Sequence, residues 1–207
     1  MIKLNEETRK FCKLQRTGYG QSLTDEEFDF AYNKHISNDI EIIKDFINNN
    51  QNLNICDIGC GVGAVDILLY KNFNIKNMTL IDKNGQSDKI YYGFKKEASY
   101  YNEFELTKNL LIENDIPINI VKFINVNKDK LPFNEKYDVI ISFFSLSFHY
   151  PYSTYSDFIE KTLKSDGFLI LDVRDNTNEI KNILLNNFKK CKLIRQDTTC
   201  KRLIFYK

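Results

Sequence analysis

The segment Ile55-Cys56-Asp57-Ile58-Gly59-Cys60-Gly61-Val62-Gly63-Ala64 restricts this chain more than any other. Three glycines at alternate positions follow an apolar run that begins at Leu53, and the amphipathic stretch Ala64 to Phe73 follows them. A strand that passes through a glycine turn into a helix lets backbone approach a ligand closely, where a Cβ would intrude. Gly59, Gly61 and Ala64 satisfy the dinucleotide pattern G-x-G-x-x-G/A, so spacing alone leaves nicotinamide and flavin cofactors open. Asp57 argues against them by charge. A pyrophosphate at the helix N-terminus is repelled by a carboxylate two residues before the first glycine, whereas a cationic ligand is attracted.

Four further apolar, β-branched runs follow. Met78 to Asp82 reads MTLID, Ile118 to Val126 alternates, Tyr137 to Phe144 reads YDVIISFF and Phe168 to Val173 reads FLILDV. Such runs suit strands buried on both faces, as in a parallel sheet. Between and after them lie amphipathic stretches, Phe104 to Glu113, Tyr155 to Leu163 and Glu179 to Phe188. The alternation predicts an open α/β sheet. Lys192 to Arg195 and Arg202 to Tyr206 have only a polar connection between them, which predicts an antiparallel hairpin at the sheet edge. Upstream, Thr24-Asp25-Glu26-Glu27 fits a capping box. Phe28, Tyr32, Ile36, Ile43 and Ile47 then recur at near-helical spacing, so residues 24–48 read as one long helix. Gly18-Tyr19-Gly20 before it reads as an aromatic hinge or loop.

Asp57, Gly59, Gly61 and Gly63 match D/E-x-G-x-G-x-G, and on them the chain resembles the class I S-adenosylmethionine-dependent methyltransferases. The resemblance covers roughly residues 50–207 and leaves residues 1–48 outside it. It implies a Rossmann-like three-layer α/β sandwich whose seven-stranded, mostly parallel sheet ends in an antiparallel strand. Residues 51–207 are then the cofactor-binding domain, and residues 1–50 a helical lid that contributes acceptor contacts. S-adenosylmethionine carries a sulfonium and an ammonium and no phosphate, which suits Asp57. Asp82, closing the second strand, is placed to accept hydrogen bonds from both ribose hydroxyls; NAD would be served equally well. Asn127-Lys-Asp-Lys-Leu-Pro-Phe133 resembles the family's D-x-x-x-L-P-F stretch. Asn127 stands where the family often has an Asp touching the adenine amino group; its side-chain oxygen can accept the same bond, and Asp129 is a nearby substitute. Phe143 is expected beside the adenine or the reacting methyl group, and Tyr19 is expected to close over the site.

The fourth-strand end selects among chemistries. Enzymes of this family that methylate exocyclic amines of bases carry D/N-P-P-Y/F there, and this chain reads Ser142-Phe-Phe-Ser145, which disfavours that class. In many small-molecule methyltransferases the region is apolar with a nearby His. His149 is the candidate general base, because neutral imidazole can take a hydroxyl proton near pH 7. His35 falls within the N-terminal helix and reads as a helix-face residue. Between Asp82 and the next helix, Lys89 to Phe104 interleaves aromatics with Lys, a composition that stacks on single-stranded bases or packs over the pocket with Lys stems along the surface; packing is favoured.

Other classes fall away. The five Cys are odd in number and scattered, and no partner pair completes a zinc site with Cys56 and Cys60, so no metal is expected. Ser142, Ser145 and Ser147 lack a G-x-S-x-G elbow, which argues against a hydrolase. The net charge of +1 hides basic ends: five bases against two acids in residues 1–16, and eight against two in residues 179–207. The middle is acidic, unlike a uniformly basic nucleic-acid binder. No apolar run approaches the roughly 18 residues of a membrane span. Met1-Ile-Lys-Leu-Asn-Glu-Glu has acids where a signal peptide needs an apolar run, so a cytoplasmic location is expected.

The reading is a methyltransferase using S-adenosylmethionine on a small-molecule oxygen or nitrogen. Three rivals remain: an RNA methyltransferase using the basic ends and aromatic insert, an NAD-dependent oxidoreductase, and a cofactor-binding but inactive regulatory partner.

Overall fold

Short β-branched runs between amphipathic stretches can bury their apolar surface only by stacking helices on both faces of a sheet, and the chain does this. The computed structural model describes residues 1–15, 22–47, 51–86, 101–174, 178–185 and 188–207. In chain order these form α1 (Glu6–Gln15), α2 (Asp25–Ile43), β1 (Leu53–Ile58), α3 (Ala64–Asn72) and β2 (Ile75–Asp82). A two-residue pair, β3 (Gly85–Gln86) and β4 (Tyr101–Asn102), precedes α4 (Phe104–Glu113), β5 (Val121–Asn125) and β6 (Tyr137–Ser142). Then come α5 (Ser156–Thr162), β7 (Leu163–Arg174), α6 (Glu179–Leu185), β8 (Lys190–Gln196) and β9 (Cys200–Tyr206).

The main sheet has seven strands in the order β5-β2-β1-β6-β7-β9-β8. The first five are mutually parallel, and β9 runs antiparallel to β7 and to β8. This is the expected Rossmann-like sheet with its terminal hairpin at one edge. Strand bounds differ from the sequence reading where the backbone turns. β6 stops at Ser142 because Phe144 takes a left-handed φ of 55°, and β5 starts at Val121 after a 3-10 turn that follows Pro117. Most of the aromatic insert, residues 87–100, lies outside the described residues, as does Tyr19.

The capping box forms as read: Thr24 Oγ1 accepts from Glu27 N–H, and Glu27 Oε2 accepts from Thr24 N–H. Phe28, Tyr32, Ile36, Ile40, Ile43 and Ile47 are all buried, in one apolar cluster with α3, α4 and the sheet. Each such side chain contributes roughly 1.5–3 kcal/mol on burial. The stripe of α2 is therefore part of the sandwich core. α5 and α6 pack in the second cluster, with the other set of β-strand side chains. Asn33 of α2 exchanges hydrogen bonds with the backbone of Ile2, and Asn114, just after α4, does the same with Lys3, fastening the residues ahead of α1 across α2 and α4.

Candidate active site

Because β1, β2, β5, β6 and β7 are parallel, their C-terminal ends share one edge of the sheet. The chain steps outward from β1 to β2 and β5, then crosses back to β6 and β7, so the direction reverses between β1 and β6. Ligands of open α/β sheets bind in the crevice at such a reversal.

The β1 end carries the glycine turn, and Gly59, Gly61 and Gly63 hold φ values of 82°, 55° and 76°. A Cβ on Gly59 would lie 2.0 Å from Ser145 Oγ, so the backbone there is pressed against the loop after β6. Gly63 is the N-cap of α3, with no side chain to cap it. Gly59 N–H donates to the Ile81 carbonyl at 2.7 Å, and Gly61 N–H donates to Asp82 Oδ2 at 2.8 Å. Thr107 of α4 donates its hydroxyl to the Gly61 carbonyl at 3.0 Å. The peptide around Gly61 is thus gripped from both sides, by β2 and by α4.

Asp57 is buried on β1, beneath this turn, and meets Asp66 from the first turn of α3. Burial pushes both carboxyls up, Asp57 well above the usual range with repulsion from Asp66 and Asp82 added, and Asp66 to about 7. The negative charge assigned to Asp57 from sequence therefore belongs to a pair that retains a proton near neutral pH. Asp57 Oδ1 has no hydrogen-bond partner among the described residues. An orphaned acceptor beneath a left-handed glycine turn fits a cofactor that brings an ammonium and a sulfonium.

Asp82 ends β2, with Oδ1 accepting the Lys83 N–H at 2.7 Å. Asn125, at the end of β5, pairs in register with Asp82. Its Oδ1 accepts the Asn127 N–H at 3.1 Å, and its own N–H is held by Asp129 Oδ2 at 2.8 Å. Asn127 itself is exposed in the turn that follows. The sequence reading ends this strand at Val126, one residue later than the backbone does, and Asn125, which it did not name, holds the Asn127 backbone in place.

The loop after β6 is the other wall. Ser142 Oγ donates to the Ile58 carbonyl at 2.5 Å and accepts the Leu146 N–H at 2.9 Å, joining this loop to β1. Phe144 and Ser147 hold left-handed φ values of 55° and 62°, unusual for residues with side chains and kept only where neighbours fix them. Glu179 does part of that fixing, accepting from Ser147 Oγ at 3.3 Å and from the Tyr152 N–H at 2.5 Å. His149 is half-buried, its backbone N–H donating to the Ser145 carbonyl at 2.7 Å and its imidazole Nδ1 buried without a partner among the described residues. Burial and the nearby Arg174 lower its pKa, so the imidazole is neutral at pH 7. Arg174 covers the Phe148 ring at 4.3 Å and donates from Nε to the Phe148 carbonyl at 3.0 Å. Phe143 is stacked on Arg202, 3.7 Å from Cζ to the ring centroid.

Ser145, Asp66, Thr107, Asn125 and Arg202 were missed from sequence. Asp66 had a signal, an acid in the first turn of a helix opened by glycine. The others depend on tertiary register alone.

A doubly wound sheet with a glycine turn, an acid at the next strand end and a buried acid beneath defines a cofactor-binding α/β protein. The chain belongs to a methyltransferase family: the model described as "Methyltransferase domain" matches residues 32–201. That family's cofactor is S-adenosylmethionine. The match starts inside α2, earlier than the sequence resemblance did. No curated protein sequence matches the chain.

Solved structures agree on the fold. Precorrin-6y C5,15-methyltransferase from Geobacter metallireducens GS-15 is 13% identical with a TM-score of 0.58, covering 82% of this chain and 86% of its own. M. jannaschii TYW2, solved in complex with AdoMet, is 17% identical with a TM-score of 0.51, covering 85% and 73%. A putative tRNA (m1A22) methyltransferase from Streptococcus pneumoniae is 9% identical with a TM-score of 0.51, covering 81% and 68%. No helix among the described residues is long and apolar enough to cross a membrane.

Proposed function

We propose that this methyltransferase acts on an oxygen or nitrogen of a small-molecule acceptor. The observation that carries the reading is the loop after β6, where a half-buried, neutral His149, its Nδ1 without a partner among the described residues, meets the Phe148 ring, which in turn meets Phe144. An aromatic wall with one proton acceptor, its Phe148 ring covered by Arg174, suits a compact organic substrate.

S-adenosylmethionine, when bound, supplies an electrophilic methyl group. The chain's own residues do the rest. Gly59, Gly61 and Gly63 admit it close to backbone, Asp57 with Asp66 receives its cationic end, and Asp82 receives the ribose hydroxyls. Asn127 serves the adenine side and Phe143 packs beside the adenine or the methyl group. His149 takes the acceptor's proton as the new bond forms; where the acceptor is already nucleophilic, alignment by the loop is enough. Residues 1–50 contribute acceptor contacts, with Tyr19, outside the described residues, closing over the site. Five free thiols accord with a reducing, cytoplasmic location.

Isothermal titration with S-adenosylhomocysteine tests the cofactor assignment. Binding in the micromolar range is expected; none below about millimolar, or stabilisation by NAD(H) instead, would overturn it.

A further inference from the structure

Arg202, on β9, is the bulkiest fully buried side chain of the described residues, and nothing in the proposed chemistry uses its charge. It pairs in register with Asp172 on β7, donating from Nε and Nη2 to the two carboxylate oxygens, each at 2.8 Å. Nη1 donates to Asp39 Oδ1 of α2 at 2.6 Å, and Arg195 of β8 reaches the same oxygen at 2.8 Å. Two carboxylates thus face two guanidiniums, drawn from α2, β7, β8 and β9. Such a set is poor at stabilising a fold, because desolvating the charges offsets most of their attraction. What it does well is fix a plane. The fork to Asp172 and the third bond to Asp39 leave the guanidinium no rotational freedom, and its flat face meets the Phe143 ring at 3.7 Å.

Phe143 is the first residue after β6, at the crevice where the chain reverses direction. We propose that Arg202, locked by Asp39 and Asp172, is a positioning residue that sets the orientation of Phe143 toward the cofactor. This rests on the reading of Phe143 as a cofactor contact. A desolvated cation–π contact on one face of the ring fixes its orientation. Lys cannot replace Arg here, since an ammonium has neither the fork nor the plane.

The chain contains no tryptophan, so Phe143→Trp gives a single tryptophan at this point, excited selectively at wavelengths its tyrosines do not absorb. The full chain is tested with S-adenosylhomocysteine as probe. Arg202→Lys is one perturbation. Arg202→Met with Asp39→Asn and Asp172→Asn is the second, removing the three fully buried charges together and leaving Arg195, which is partly exposed, with its other partner Asp197. In the Phe143→Trp background, each should raise the acrylamide quenching constant at least twofold. In the native background, each should weaken S-adenosylhomocysteine binding about tenfold. Phe143→Leu should weaken it similarly, and Phe143→Leu combined with Arg202→Lys should weaken it no further than either alone. Native affinity in both Arg202 variants, with Phe143→Leu still weakened, overturns the positioning role and leaves the reading of Phe143 standing. Losses that multiply also overturn the positioning role. Native affinity in Phe143→Leu overturns both.

Discussion

Asp82 Oδ2 accepts the N–H of Gly61 at 2.8 Å, so the acid at the end of β2 and the glycine turn at the end of β1 form one unit. A carboxylate oxygen has a second lone pair, and the same acid can hold the turn while receiving a hydroxyl. Asp82→Ala removes both functions, and the affinity for S-adenosylhomocysteine should fall by roughly ten- to hundredfold. Asp82→Asn, which keeps one acceptor oxygen, should lose less. Unchanged titration isotherms for Asp82→Ala would remove it from the site.

Gly59 is the tightest point of the turn. Its φ of 82° disfavours any side chain, and an added Cβ would meet Ser145 Oγ at 2.0 Å. Gly59→Ala should cost about 1–3 kcal/mol of stability and force the loops after β1 and β6 apart. Denaturant unfolding measures the first effect, and titration with S-adenosylhomocysteine measures the second. Pairing with Ser145→Gly should recover part of the loss, because that change removes both the hydroxyl oxygen and the Cβ, 2.3 Å away, that clash.

Much of this was legible in the sequence. β1, α3, the capping box of α2 and the edge hairpin follow from local patterns: β-branched runs, a glycine turn, Thr24 with Glu27, and two strands without a helix between them. α1 was missed although its signals were present. Asn5 Oδ1 accepts the Thr8 N–H at 2.8 Å as a cap, and Glu6 and Glu7 occupy the first turn. A ten-residue helix that is mostly charged and polar, EETRKFCKLQ, reads as a solvated stretch, and that is why it escaped. The partners of Phe143 were illegible for another reason. Arg202 and Asp39 lie far apart in the chain, and only the packing of α2 against the β9 side of the sheet brings them together.

His149 carries the proton-transfer part of the account. Replacing it by Ala should lower turnover at saturating acceptor by roughly a hundredfold. Its lowered pKa means that the neutral form persists below the usual value of 6.5. The rate should therefore stay flat as pH falls through 7 and decline only below about 6.5, and His149→Gln should abolish that acid limb. An unchanged turnover in His149→Ala would leave the histidine as a loop-ordering residue.

The Asp57–Asp66 pair predicts a pH dependence of stability with a definite sign. The native pair binds its proton more tightly than the unfolded chain does, with Asp66 raised from 3.8 to about 7. Stability without cofactor is then full at low pH on this account and declines as pH rises from the unfolded value through 7. Asp66→Asn removes the Asp66 share of that loss and the repulsion on Asp57, and its melting temperature at pH 8 should exceed that of the native chain by about 2–8 °C. A native melting temperature that does not fall between pH 5 and 8, once other titrating groups are matched in the variant, would contradict the pairing.

The acceptor class is the central claim. Purified protein given S-adenosylmethionine labelled in its methyl group, with a cell extract as acceptor source, should place label in the low-mass organic fraction, insensitive to ribonuclease. Label found in RNA, released by ribonuclease, with labelling suppressed when the reaction is run at high salt, would contradict a small-molecule acceptor and favour the nucleic-acid reading.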